Sequence, residues 1–365
     1  MSDQGLSGRD GTFDPGRLLY AAGRDRISVA LTDLFLPSGQ RLTEWQRVTM
    51  TGLLERLVRS IEDGLRDRLA KRFGAADFPE ANAALTAGHV EIALPILQRS
   101  AALRDPDLVN FLLRRLEEHR LYRLTGSAAA SGGLIAELVR DDYAAVGGAA
   151  MAVLIASSRR LDRFQDPVIA SPELPANIAS RLYWTIAAAL RSYLIERQSI
   201  AVARVDKALS EATKLQLRAL DEAESLESRS LDLARRLDDA GRLDGGLIVR
   251  SLTEGALPIL LACLSLRCEI EVDAVWEVMS ESSGRGAPLL LRAAGLNREQ
   301  AATLLFALEP EREEGSGDGV ARQIDIFATT AQRDALNIVR FWQLDPIYRA
   351  AIVAVTKGGG GTPVI

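Results

Sequence analysis

The chain has 365 residues, 47% of them hydrophobic and 25% charged, a balance typical of globular proteins and sufficient for one large or two medium domains. Its formal net charge of −5 provides no global field for nucleic acid or anionic lipid, so no nucleic-acid partner is expected. No stretch approaches the ~18 apolar residues that cross a bilayer, no secretory signal pattern is present, and two cysteines do not make a disulfide framework, so membrane insertion is not expected and a cytoplasmic location is.

In chain order, residues 1–14 read as a flexible leader and residues 15–168 as an N-terminal domain of helical repeats. LTEWQRVTMTGLLERLVRSIEDGLRDRLAKRF reads as two helices, with Thr43 as the first cap. HVEIALPILQR follows as an apolar helix, then the turn SAALRD. In DLVNFLLRRLEEH, Leu108, Val109, Leu112, Leu113 and Leu116 fall on one helical face. Asp105 is placed to cap that helix, Pro106 suits its first position and Asp107 complements its dipole. The pair spans about 30 residues, the size of a helical repeat unit.

Ala93-Leu94-Pro95-Ile96-Leu97 returns as Ala256-Leu257-Pro258-Ile259-Leu260. A proline inside a helix has no N–H for the carbonyl four residues back, a bend worth about 3 kcal/mol in isolation. Its repetition predicts kinked helices that follow the curvature of a stacked array. ELVRDDYAAVGGAAMAVLIASS supplies further short apolar helices.

Residues 169–243 read differently. Leu182, Tyr183, Ile186, Leu190, Tyr193 and Leu194 form one stripe, and Leu209, Ala212, Leu220, Ala223, Leu226, Leu233 and Leu237 a narrower one. Either a long antiparallel hairpin or one projecting helix follows. The 204–240 segment would pair with this chain's own 176–200 helix or, in a homodimer, with a second subunit. The apolar face of LYWTIAAALRSYL favours the intramolecular pairing.

Helical repeats resume over 244–309. LTEGALPILLACLSL is followed by a helix with Val272, Val275, Trp276 and Met279 on one face. RGAPLLLRAAG then stops at Gly295, and Asn297 caps REQAATLLFAL. Residues 310–320 read as an acidic, Gly-containing linker, 321–357 as C-terminal helices interrupted by Pro346, and 358–365 as a flexible tail. Alternating β-branched strands are absent, so the fold is expected to be all-α.

IALPILQRSAALRDPDL (92–108), RLYWTIAAALRSYLIER (181–197) and LLLRAAGLNREQAATLL (289–305) resemble the successive signatures of an uncharacterised alphaproteobacterial family, domain of unknown function 2336. The resemblance runs from about Arg41 to Leu308. It implies HEAT-like helix–turn–helix repeats, an α-solenoid, in a bacterial cytoplasm, and carries no catalytic residues.

The residues themselves offer little chemistry. His89 and His119 are the only histidines, and with the distant Cys263 and Cys268 they make no zinc set. His119, in EEHR, reads as a helix-end histidine, with phosphotransfer as the sharper alternative. No Gly-x-Ser-x-Gly, Cys/His pairing or Walker lysine appears, so no catalytic residue, cofactor or metal is expected. Two basic clusters stand out, Arg114, Arg115 and Arg120 in one and Arg159, Arg160 and Arg163 in the other. They read as solvated helix faces or as a ridge for an acidic partner. Trp184, flanked at helical spacing by Arg181 and Arg191, reads as core or rim packing or as an interface anchor. The partner-binding candidates are therefore Arg114, Arg115, Arg120, Arg181, Trp184 and Arg191. The expected function is a non-enzymatic protein-binding scaffold or regulatory adaptor. The alternatives are an enzyme built from scattered acids and arginines, or an oligomeric structural protein acting through 204–240.

Overall fold

The computed structural model describes residues 43–88, 90–126, 133–170, 173–281, 284–308 and 317–359. Among them there is no β-strand, only an isolated bridge between Leu161 and Pro167, and the fold is all-helical. His89, the expected leader at 1–14, linker residues 310–316 and the tail from 360 lie outside the described residues.

Two compact units divide between Ala262 and Cys263. The first contains α1 (Glu44–Phe73), α2 (Pro79–Thr86), α3 (Ala93–Ser100), α4 (Pro106–Gly126), α5 (Leu134–Val139), α6 (Ala144–Ser158), α7 (Ala176–Glu196), α8 (Val202–Arg218), α9 (Leu226–Asp239) and α10 (Gly245–Thr253). The division falls inside α11 (Leu257–Cys268). The second holds α12 (Val272–Met279), α13 (Gly286–Ala293), α14 (Arg298–Leu308), α15 (Gly317–Thr329), α16 (Gln332–Val339) and α17 (Pro346–Gly359). The helix α15 thus begins within the stretch expected to be linker.

The expected caps are present. Thr43 forms a reciprocal box with Gln46: the Gln46 N–H donates to Thr43 Oγ1 at 3.2 Å and the Thr43 N–H to Gln46 Oε1 at 3.0 Å. Asp105 Oδ1 accepts from the Asp107 N–H at 2.9 Å, with Pro106 at the first helical position. Asn297 Oδ1 accepts from the Gln300 N–H at 2.9 Å, and Gly295 has a φ of 75°. The segment expected to form two helices after Thr43 is a single one, α1. Its buried stripe of Met50, Leu53, Leu57, Ile61, Leu65, Leu69 and Phe73 crosses Gly52 and Gly64 without losing phase, and packing of that stripe outweighs glycine's weak helix propensity.

The repeated prolines do not kink helices. Pro95 is the third residue of α3 and Pro258 the second of α11. First-turn N–H groups have no intrahelical acceptor, so a proline there forfeits no bond and has no helical carbonyl to displace. ALPIL therefore marks where a helix begins.

At the start of α3 those free N–H groups meet a carboxylate. Glu62, buried on α1, accepts from the Ile92 and Ala93 N–H groups at 3.1 Å each. Its neighbour Arg66 donates to the carbonyls of Ala84, Leu85, Ala87 and Val90 at 2.6–2.9 Å. One buried pair thus closes the end of α2 and opens α3, satisfying backbone groups that have no helical partner.

The 204–240 segment is two helices. Asp221 and Ser225 break it: Asp221 Oδ1 accepts from the Ala223 N–H at 3.0 Å, and Ser225 Oγ accepts from the Ser228 N–H at 3.2 Å to cap α9. The helix α8 packs on α7, burying Val205, Leu209 and Ala212 against the same core as Leu182, Ile186, Leu190 and Leu194. The other half, α9, buries Leu226, Leu233 and Leu237 and packs on α6. The expected pairing with the 176–200 helix is made mainly by the first half, α8.

In the second unit, Gly286 opens α13 where it meets the end of α12. A Cβ at Gly286 would lie 2.0 Å from the Val278 carbonyl oxygen. Gly286→Ala is expected to destabilise this unit by about 1–3 kcal/mol, the range for overpacking, measured as a lower denaturation midpoint. An unchanged midpoint would mean that the two helices separate freely.

Candidate functional site

Helix α4 carries Arg114, Arg115, Glu118, His119 and Tyr122, and the spacing of 115, 118, 119 and 122 puts these on one face. The loop after α6 brings Arg160, held by a hydrogen bond from the Val168 N–H to its carbonyl at 2.8 Å. Glu173 lies just before α7, and Glu227 in the first turn of α9.

These groups converge on a charge cluster. Arg115 donates to Glu118 at 2.5 Å and to Glu227 at 2.5 Å. Arg160 donates to Glu118 at 2.9 Å, to Glu227 at 2.7 Å and, through Nε, to Glu173 at 2.8 Å. Arg114 Nε donates to Glu118 at 2.8 Å. The second oxygen of Glu173 accepts the Leu226 N–H at 2.8 Å, so the cluster also fixes the start of α9. Three guanidiniums face three carboxylates, and the formal charges balance. Burial alone would push the Glu118 and Glu227 carboxyls up, but Arg115, with Arg114 and Arg160, holds both below the usual carboxylate range, Glu227 well below it.

Beside this cluster is a cavity of about 410 Å³ within the first unit. Arg115, Glu118 and Arg160 lie at its polar side, and Val153, Leu161, Val168 and Ile259 contribute to its apolar walls. Tyr122 and Leu154 are lining residues that are also exposed. His119 lines it too. Its side chain is buried, its Nδ1 has no hydrogen-bond partner among the described residues, and burial followed by the nearby Arg123 charge moves its pKa below the ordinary histidine value.

The structure distributes the six partner-binding candidates among separate places. Arg114 and Arg115 are buried in the cluster rather than standing on an outer ridge, because Glu118 and Glu227 draw them inward. Arg120 points elsewhere on α4 and donates to Glu117 at 2.9 Å. On α7, Arg181 bonds Asp105 and Asp107 at 2.6 Å each, Arg191 bonds Asp206 at 2.5 Å, and Trp184 between them is 39% exposed. Of the second basic cluster, Arg160 is drawn into the charge network, whereas Arg163 lies over the Phe164 ring. The Arg114, Arg115, Glu118 spacing was the legible trace of the network. Glu173 and Glu227 carry no linear signal, since they lie 55 and 109 residues beyond Glu118 in the chain.

Among the described residues, no group of three or more His, Cys, Asp or Glu side chains could hold a metal ion, and no helix is long and apolar enough to cross a membrane. Cys263 and Cys268 are both buried.

No curated protein and no solved structure matches the chain. A family of bacterial proteins does, over residues 126–340. This span starts later than the resemblance read from the sequence, and it takes in residues after 310 that the resemblance left out. It includes Arg160, Glu173 and Glu227 of the cluster and the cavity walls from α5 to α11, while the α4 residues lie before it. With well over half of its length matched, the chain belongs to the family described as an uncharacterised protein conserved in bacteria (DUF2336).

Proposed function

We propose that this chain is a non-enzymatic protein-binding adaptor of bacterial regulation, which docks an amphipathic helix of its partner on the outer face of α6. In this reading the helices stack as HEAT-like pairs in the cytoplasm, as the family resemblance implies. The supporting observation is α6 itself. Its fifteen residues include no charged side chain, and Met151, Leu154 and Ile155, at helical spacing, are 41–49% exposed. A helix face of this kind normally stays in water only where a partner covers it, and a helix laid against it would present apolar anchors three and four residues apart. The arginines hold Glu118 and Glu227 below the usual carboxylate range, so neither offers the proton-donating acid that an enzymatic reading of this cluster would need near neutral pH.

The test is photo-crosslinking of the full-length chain in its native cell from a photoreactive residue at Met151, beside affinity capture of an Ile155→Asp variant. A defined second protein crosslinked from 151, with capture reduced at least tenfold in the variant, is expected. The variant should fold, since exposed substitutions usually stay within about 0.5 kcal/mol. Equal capture by Ile155→Asp, or loss seen only when Arg181 and Trp184 are changed to Ala, would move the interface to α7 and sink the α6 assignment. A crosslink to another copy of this chain would replace the adaptor with a homodimer.

A further inference from the structure

The cavity beside α4 has features that protein docking on α6 does not use, and they define a ligand. Its size falls within the range of about 300–1,000 Å³ that is usual for small-molecule sites. Its walls are mostly aliphatic, and its polar side is electrically closed. Arg115 and Arg160 already bind Glu118, Glu173 and Glu227. An anionic ligand would have to displace a carboxylate from a guanidinium, and a cationic one would have to displace a guanidinium. Neither exchange gains an ion pair.

Two buried atoms of the lining side chains have no hydrogen-bond partner among the described residues, Arg115 Nε, whose guanidinium is already ion-paired, and His119 Nδ1. His119 is only 6% exposed, and its Nδ1 has no partner among the described residues. A buried polar atom in that state is unfavourable until something hydrogen-bonds it. Burial, reinforced by Arg123, lowers its pKa. The neutral ring offers one donor and one acceptor nitrogen.

We propose that this cavity binds an uncharged amphipathic small molecule, whose hydroxyl or amide head hydrogen-bonds His119 and whose alkyl or ring body lies against Val153, Leu161, Val168 and Ile259. Access is at Tyr122 and Leu154. Leu154 belongs to both the cavity mouth and the α6 docking face, but Ile155, which carries the docking test, does not line the cavity, so the two proposals fail separately.

The experiment is fluorescence titration of the full-length chain with N-phenyl-1-naphthylamine, an uncharged apolar probe, followed by displacement with 1-decanol, decanamide and decanoate. One-site saturation is expected, with decanol and decanamide displacing the probe at least tenfold more effectively than decanoate at pH 7.5. His119→Phe should weaken decanol by about three- to tenfold, the worth of one hydrogen bond. Leu154→Trp, at the exposed mouth, should weaken the probe at least tenfold, and Ser157→Phe, also in the lining, is measured beside it in case the first variant melts early. Ile155→Asp should bind the probe like the parent. Non-saturable probe uptake, unchanged affinity in both folded blocking variants, or decanoate displacing as well as decanol would overturn the proposal.

Discussion

Arg115→Ala is expected to destabilise the first unit by about 3–5 kcal/mol, the range for removing one partner from a buried ion pair. Arg115 is buried and bonds both Glu118 and Glu227, and the alanine would leave these two carboxylates sharing Arg160 and Arg114. The loss should exceed that of a conservative double change such as Arg115→Met with Glu227→Leu, which removes charge from both sides and leaves less unpaired. Denaturant unfolding of the three proteins at pH 7 checks the ranking. A loss below about 1 kcal/mol for the single variant, smaller than a buried network requires, would mean that water or neighbouring groups compensate and that the cluster holds little.

The same variant should change the response to acid. In the parent protein, burial pushes Glu118 and Glu227 up, but the arginines outweigh it and both folded values lie below the ordinary 4.5. A depressed carboxylate contributes stability that is fully present above its unfolded value and is lost as pH falls through the folded one. The cluster therefore stabilises the protein above about pH 4.5 and weakens below it. With Arg115 gone, both folded values rise and the acid loss begins at higher pH. Superimposable stability profiles between pH 7 and pH 3, apart from a constant offset, would contradict this account.

The second large effect is expected at Arg66. Arg66→Leu removes a buried cation that donates to four backbone carbonyls and pairs with Glu62, and should also lose about 3–5 kcal/mol. Arg66→Lys should recover little, because one ammonium with three donors cannot cover carbonyls that a planar guanidinium spans. Amide hydrogen exchange separates the local effect from the global one. Protection should fall first at Asn82 to Ala87, where α2 ends, and at Ile92 and Ala93, whose N–H groups Glu62 accepts. Unchanged exchange there would show that other groups satisfy these termini. Glu62 has the opposite pH sense from Glu118. Burial raises its carboxyl above 4.5 despite the bonds from Ile92, Ala93 and Arg66, so its contribution is present below that value and is lost as pH rises through the folded one.

Local features of the fold were legible in the residues. Thr43, Asp105 with Pro106, Gly295 and Asn297 each act on backbone groups two to four residues away, so their meaning survives without any tertiary information. The stripe on α7 was legible for the same reason. Pro95 and Pro258 show where such reading stops. Whether a proline kinks a helix or starts one depends on a boundary one turn upstream, and apolar periodicity blurred that boundary. The break at Asp221 and Ser225 was hidden in a similar way: a leucine stripe ran through both halves of 204–240, while the two halves pack on different neighbours.

The sequence by itself determined the helical class, the main caps and the apolar faces, because all three are set by interactions between residues within about one or two turns of each other. Only the tertiary structure decided which charges are buried. Arg114 and Arg115 have the spacing of a solvated helix face, and nothing nearby in the chain announces Glu227. Their burial depends on segments more than a hundred residues apart meeting at one point, where a guanidinium can leave water only because a carboxylate meets it. The cavity beside them is likewise a space between helices. Its walls come from α4, α5, α6, the loop that follows and the starts of α9 and α11, and no one of those segments encodes it.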